Sequence, residues 1–163
     1  AITKYGVPRS QTEHWEGDLI LGKYKDSALG TLVERITRYT ILVPLGDKKD
    51  ALNVREAYAE AFKTVTNELR KTLTYDQGKE MSQIKNLLST QNTGFFAHPG
   101  SPWERGTNEN TSGFIRQYFP KGTGFTQVSE DEINKVQRKL NDRPRKTLNF
   151  NKPYEVFNIL VAL

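Results

Sequence analysis

Residues 14–22 read His-Trp-Glu-Gly-Asp-Leu-Ile-Leu-Gly, a run whose alternation sets the architecture of the chain around it. The stretch reads as a strand ending at Gly22. With a period of two, Glu16, Asp18 and Ile20 share one face, while Trp15, Gly17, Leu19 and Leu21 share the other. Two further β-rich runs, 29–35 and 38–45, are separated only by Ile36-Thr37, which predicts a hairpin. Three consecutive strands with short links give an antiparallel meander. Asp50 then opens a long helix, in which Val54, Ala57, Tyr58, Ala61, Phe62, Val65 and Leu69 keep the i, i+3, i+4, i+7 rhythm of one buried stripe.

Beyond that helix, residues 72–76 (Thr-Leu-Thr-Tyr-Asp) predict a short strand ending at Asp76, with Gln77-Gly78 as a turn. A second helix is expected over 79–90, a fifth strand over Gly94-Phe95-Phe96-Ala97, and a Pro-, Gly- and Ser-rich loop from His98 to Trp103. A helix over 105–119 stops before Pro120 and the glycines at 122 and 124. Ser129 and Glu132 form a capping box for a helix with the stripe Ile133, Val136 and Leu140, and helix character returns from Pro153. The order βββ-α-β-α-β-α-α predicts an α/β fold: a mixed five-stranded sheet, three antiparallel strands then two crossover strands, flanked by helices on both faces. That is the outline of a ribonuclease-H-like domain. Residues 1–12 are read as a polar lead-in and 13–163 as one domain. The start at Ala1 inside a polar, Pro-containing segment suggests a piece of a longer protein.

Composition narrows the classes. At 163 residues, with 36% hydrophobic and 26% charged residues, the chain suits one soluble globular domain rather than a disordered segment. Its longest apolar runs, Ile41 to Val43 and Ile159 to Leu163, are far too short to span a bilayer, so no membrane role is expected. Cysteine is absent, which excludes disulfides and thiolate zinc sites and is compatible with a cytoplasmic, nucleoid-associated setting. A net charge of +5 and a pI near 9.4 point to polyanions as partners.

Three acids draw attention. Asp18 lies mid-strand in an otherwise apolar run, where a carboxylate is costly unless something neutralises it. Asp76 stands at the end of a strand that comes after a crossover, the usual ligand end of an open α/β sheet. Glu109 begins a helix after a turn-rich loop, and from that helix it can close a site formed where the first and fourth strands are neighbours. Three convergent carboxylates need a cation, and all-oxygen ligation suits two Mg²⁺ (or Mn²⁺) ions rather than zinc. Taken singly, each acid also has a plain structural role: an arginine partner for Asp18, a turn for Asp76, a first-turn helix position for Glu109.

The words around these acids carry a family resemblance. His14-Trp15-Glu16-Gly17-Asp18-Leu19-Ile20, Thr31-Leu32-Val33-Glu34-Arg35, Lys71 to Glu80, Ser101 to Thr111, Arg116 to Thr123 and Leu140 to Lys146 resemble six successive blocks of the IS-thirty family of insertion-sequence transposases. The resemblance spans residues 13 to 156. It implies an integrase-type catalytic core with a DDE triad, matched by Asp18, Asp76 and Glu109. It further implies metal-dependent cleavage at transposon ends and strand transfer into target, double-stranded DNA as partner, and a homo-oligomer in the active complex. The chain departs from the family at Ile84, where a His is expected, at His98 and Gly100, and in an Asp76-to-Glu109 interval about one residue short.

Basic residues fall into two sets. Arg105, Arg116 and Lys121 lie near the helix bearing Glu109, and Arg143, Arg145 and Lys146 cluster after the penultimate helix. All six are candidate DNA contacts, against a solvated face or ion pairs with Glu104 and Asp142. Asn108 and Asn110 flank Glu109 and are candidates to orient a carboxylate or water, with helix capping as the alternative. Trp103 is read as a loop anchor, and Glu80, His14 and His98 are not assigned as ligands. Two other functions stay open: a non-catalytic DNA-binding or assembly module derived from a transposase, and a general ribonuclease-H-like nuclease. Metal titration separates the first from an enzyme. Preference between DNA and RNA–DNA duplex separates the second.

Overall fold

Strand β1 (His14–Leu21) is the centre of a five-stranded sheet of order β3-β2-β1-β4-β5, with β2 at Ala28–Glu34, β3 at Thr40–Gly46, β4 at Thr72–Tyr75 and β5 at Phe96–Pro99. The computed structural model describes residues 14–65, 72–75, 96–99 and 106–162. The first three strands form the expected meander: β1 pairs antiparallel with β2, Asp18 opposite Thr31, and β2 pairs antiparallel with β3. β4 and β5 add in parallel on the other side, with Gly17 opposite Tyr75 and Tyr75 opposite Pro99. Four helices are described: α1 (Ala51–Phe62), α2 (Gly106–Tyr118), α3 (Glu130–Asn141) and α4 (Pro153–Ala162). None of them is long and apolar enough to cross a membrane. The helix expected over 79–90, with Ile84, lies outside the described residues.

Alternation along β1 sends its two faces into two separate cores. Trp15 packs with Leu32, Val43, Val54, Tyr58, Phe62 and Phe157, drawing α1 and α4 onto one side; Leu19 and Leu21 pack against this cluster. Ile20 packs with Leu29, Leu42, Ile115, Phe119, Ile133, Val136 and Leu140, drawing α2 and α3 onto the other. The Glu16-Asp18-Ile20 face therefore looks toward α2. Asp50 caps α1 by accepting from the Asn53 amide, and Ser129 caps α3 by accepting from the Glu132 amide, so both helix starts legible in sequence are built as such.

The two edges of the sheet are handled differently. Edge strand β3 is closed by side-chain amides of α3: Asn141 accepts from Thr40 N and donates to Thr40 O, both at 2.8 Å, and Gln137 Oε1 accepts from Leu42 N at 2.9 Å. Filling the open backbone positions this way removes a template for strand addition. The other edge, β5, corrects the expectation from sequence. The strand is Phe96–Pro99, two residues later than expected, so His98 and Pro99 belong to it rather than to the loop beyond. Proline had argued for a loop, but an edge strand needs ladder hydrogen bonds on one side only and tolerates it.

Candidate active site

Asp18 occupies the middle of β1, half-buried, on the face covered by α2, and its Oδ1 accepts from the Leu19 amide at 2.8 Å. Its backbone is held from the opposite side of the sheet. The Tyr58 hydroxyl, on α1, donates to Asp18 O at 2.7 Å and accepts from Thr31 N at 3.1 Å, so it bridges the strand pair where Asp18 faces Thr31. The Thr31 hydroxyl also donates to Asp18 O, at 3.3 Å. The close approach explains Gly30: a Cβ there would lie 3.0 Å from both the Tyr58 oxygen and Val43 Cβ. Burial, and after it the Asp18 charge, pushes the Tyr58 hydroxyl well above its ordinary pKa, so it stays a neutral donor. From sequence Tyr58 was only a stripe residue. The missed signal was a polar tip on an otherwise apolar stripe.

The other two acids are placed through the backbone. Tyr75, the last residue of β4, sits opposite Gly17, one residue before Asp18; the next residue in the chain is Asp76, which lies outside the described residues. Glu109 is the fourth residue of α2, whose further course packs Ile115 and Phe119 with Ile20 of β1. The side chains of Glu109, Asn108, Asn110 and His98 are outside the described set, as are all of Arg105, Trp103, Glu80 and Gly100. Among the described residues no three acid, His or Cys side chains gather into a metal-holding group. What is described fits a hard divalent ion in its chemistry: a half-buried carboxylate on β1, and a helix with a second acid in its first turns packed over the same face.

The basic candidates have distinct fates. Arg116 donates to Leu21 O at 2.9 Å and reaches the carbonyls of Phe119 and Pro120 at 3.4 Å, so it ties the end of β1 to the end of α2. Lys121 is exposed just beyond α2. Arg143 donates to Gln117 Oε1 at 2.9 Å, and its guanidinium lies 4.3 Å from the Phe114 ring centroid, with that of Arg145 at 4.4 Å. Arg145 is only 6% exposed, whereas Lys146 is exposed. Asp142 pairs with Lys152 at 3.0 Å, not with this cluster.

Beneath α2 lies a group of buried charges that sequence reasoning did not single out. Glu34 and Glu16 are fully buried. Glu34 accepts from the Thr37 amide at 2.6 Å and its hydroxyl at 2.5 Å, closing the β2–β3 turn. Arg38 sits at the tip of that turn with a positive φ of 63°. Burial lowers its pKa, opposed by the charges of Glu16 and Glu34.

Comparison with known proteins gives a consistent pattern. The family described as integrase core domain matches residues 8–102. A transposase for insertion sequence element IS30A of Escherichia coli (strain K12) is 48% identical over 158 residues, 95% of this chain and 40% of the relative. A transposase for element IS1086 of Cupriavidus metallidurans is 43% identical over 150 residues, 91% of this chain and 44% of the relative. The chain thus spans about two-fifths of the length of these curated relatives. Among solved structures, the catalytic core domain of BIV integrase matches with a TM-score of 0.64 at 16% identity, covering 92% of this chain and 96% of that one. The HTLV-2 integrase catalytic core in complex with magnesium matches at 0.65 and 16% identity, covering 88% and 94%. At such identities the structural likeness establishes the fold, the ribonuclease-H-like arrangement expected from the strand order.

Proposed function

Because the chain belongs to the integrase core domain family, we propose that it is the metal-dependent catalytic portion of an insertion-sequence transposase, acting on double-stranded DNA within a homo-oligomer. One observation carries the proposal: Gly17 pairs with Tyr75, so the residues preceding Asp18 and Asp76 are neighbours in the sheet, and the helix that bears Glu109 crosses the face to which Asp18 belongs. Identity to IS30-type transposases over almost the whole chain supports the choice of reaction within the family. The solved relatives point the same way for ion and assembly: one integrase core was obtained with magnesium in a trimeric form, and a simian T-cell lymphotropic virus intasome also matches, with a TM-score of 0.66.

Asp18, Asp76 and Glu109 are the residues that would hold two Mg²⁺ or Mn²⁺ ions. Such ions, when bound, stabilise charge at the phosphodiester and lower the pKa of an attacking water. The protein's own contribution is position. Tyr58 and Thr31 fix the Asp18 backbone, and Arg116 ties the end of α2 to that of β1, which sets the helix carrying Glu109. Asn108 and Asn110 flank Glu109 and are proposed to orient its carboxylate or a water. In the first reaction, water adds to phosphorus at the transposon end and the bond to the 3′-oxygen breaks, leaving a 3′-hydroxyl. In the second, that hydroxyl loses its proton, bonds to a target phosphorus and displaces the target's own 3′-oxygen.

Strand transfer tests this. A pre-cut oligonucleotide carrying the element's end, incubated with supercoiled plasmid and Mn²⁺, is expected to yield covalently joined product that chelator abolishes. Joining unaffected by chelator, or cleavage confined to RNA–DNA duplex, would contradict the proposal.

A further inference from the structure

A pocket of about 200 Å³ opens beside α2, lined by Arg38 from the β2–β3 turn, Thr111 and Phe114 from α2, and Arg145, Lys146 and Thr147 from the segment after α3. Its described lining carries three cations and no acid. Arg145 is 6% exposed, donates through Nη2 to Leu140 O at 3.1 Å, and leaves its buried Nε without a hydrogen-bond partner among the described residues. Arg38 likewise has a buried Nη1 with no such partner. Glu16 and Glu34 act on Arg38 from the sheet side, opposing the effect of its burial, and Glu34 also accepts from the amides of its own turn. Arg143 and Lys146 add two further cations close by, and Arg143 shares the Phe114 ring with Arg145.

Buried guanidinium donors without acceptors are costly, and cations crowded together disfavour one another's charge. Arg145 shows the strain: burial first, then Arg143 and Arg38, bring its pKa down to about 10. A group that supplies several anionic acceptors to a guanidinium fork relieves both costs at once, and a phosphate does so best. Thr111 and Thr147 add neutral residues to its wall. We propose that this pocket seats one backbone phosphate of the DNA strand running along α2, with Arg38, Arg145 and Lys146 as its ligands. The inference rests on the DNA-substrate reading above. It adds to it Arg38, a residue distant in sequence from both basic clusters, and a defined place for a single phosphate.

The test combines salt dependence with removal of single charges from DNA. Arg38→Gln and Lys146→Gln are chosen because both side chains reach solvent, whereas Arg145 is packed against Phe114. Affinity for a fluorescent duplex is measured across a salt series, and each variant is expected to lower the slope of log K against log salt by about 1. Lys63→Gln, on the α1 side and paired with Glu60, is expected to leave it unchanged. A scan of single methylphosphonates along the strand should then find one position whose neutralisation weakens the parent protein about tenfold but has little further effect on either variant. Additive losses at every position, or unchanged slopes in both variants while the parent binds duplex, overturn the pocket and leave the DNA reading standing. Failure of the parent to bind duplex overturns both. If inorganic phosphate occupies the pocket in ³¹P line-broadening, lost in Arg38→Gln, while the methylphosphonate scan stays flat, the occupant is free phosphate and the DNA assignment is wrong.

Discussion

Asp18→Asn is expected to abolish divalent-metal-dependent DNA cleavage and strand transfer while leaving the fold intact. The substitution is nearly isosteric, and the amide oxygen can still accept from Leu19 N, the 2.8 Å contact made by Oδ1. The bonds that fix the strand here go to the Asp18 backbone carbonyl, from Tyr58 and Thr31, and do not depend on its side chain. What is lost is a formal negative charge among the carboxylates proposed to hold the ions. A metal contributes several kcal/mol of transition-state stabilisation, and each 1.36 kcal/mol is tenfold in rate, so a loss on the order of 10³-fold or more is expected. Circular dichroism and melting should stay close to those of the parent. Activity within about tenfold of the parent would remove Asp18 from the catalytic set.

Trp15→Ala has the largest expected effect on stability, a loss of about 3–5 kcal/mol. Trp15 is fully buried on the face of β1 opposite Asp18, with Phe157 meeting its ring edge-on at a centroid distance of 5.9 Å. Phe157 in turn stacks on Tyr39 at 4.2 Å, so the indole supports the contact that seats α4 against the sheet. Replacing it leaves a cavity between a sheet and two helices that the central strand cannot move to fill. With a denaturant dependence of about 1–3 kcal/mol per molar urea, the urea midpoint should fall by more than about 1 M. A loss below about 1 kcal/mol would mean that this core is organised differently.

The parts of the molecule legible in sequence are those written in local periodicity and cap chemistry. Alternation in 14–22 separated Asp18 and Ile20 from Trp15 and Leu19, and the two cores respect that division. Asp50 and Ser129 announced helix starts because a short acceptor side chain needs only an amide about three residues away. The placement of β5 was not legible, since Pro99 signals a break everywhere except at a sheet edge, and edge position is a property of topology. Long-range polar contacts were equally hidden. The Tyr58 hydroxyl reaches a strand 40 residues away in sequence. Arg116, read from sequence as a candidate DNA contact, also holds the Leu21 carbonyl, 95 residues away in sequence. Arg145 lies in a run of charges that reads as a DNA contact or a solvated face, and nothing local shows that its guanidinium is buried against the Phe114 ring. For the candidate site, Asp18 and the helix of Glu109 fall on one face of the sheet, as expected from the strand order. The meeting of all three carboxyl groups remains part of the proposal.

That meeting can be measured directly. Crystals of the protein grown or soaked with Mn²⁺ and recorded at a wavelength sensitive to manganese should show anomalous peaks within coordination distance, about 2.0–2.3 Å, of carboxylate oxygens of Asp18, Asp76 and Glu109. Two peaks about 3.5–4 Å apart, both touching Asp18, are predicted. Manganese bound elsewhere, or any one of the three carboxyl groups lying apart from the other two, would contradict the account.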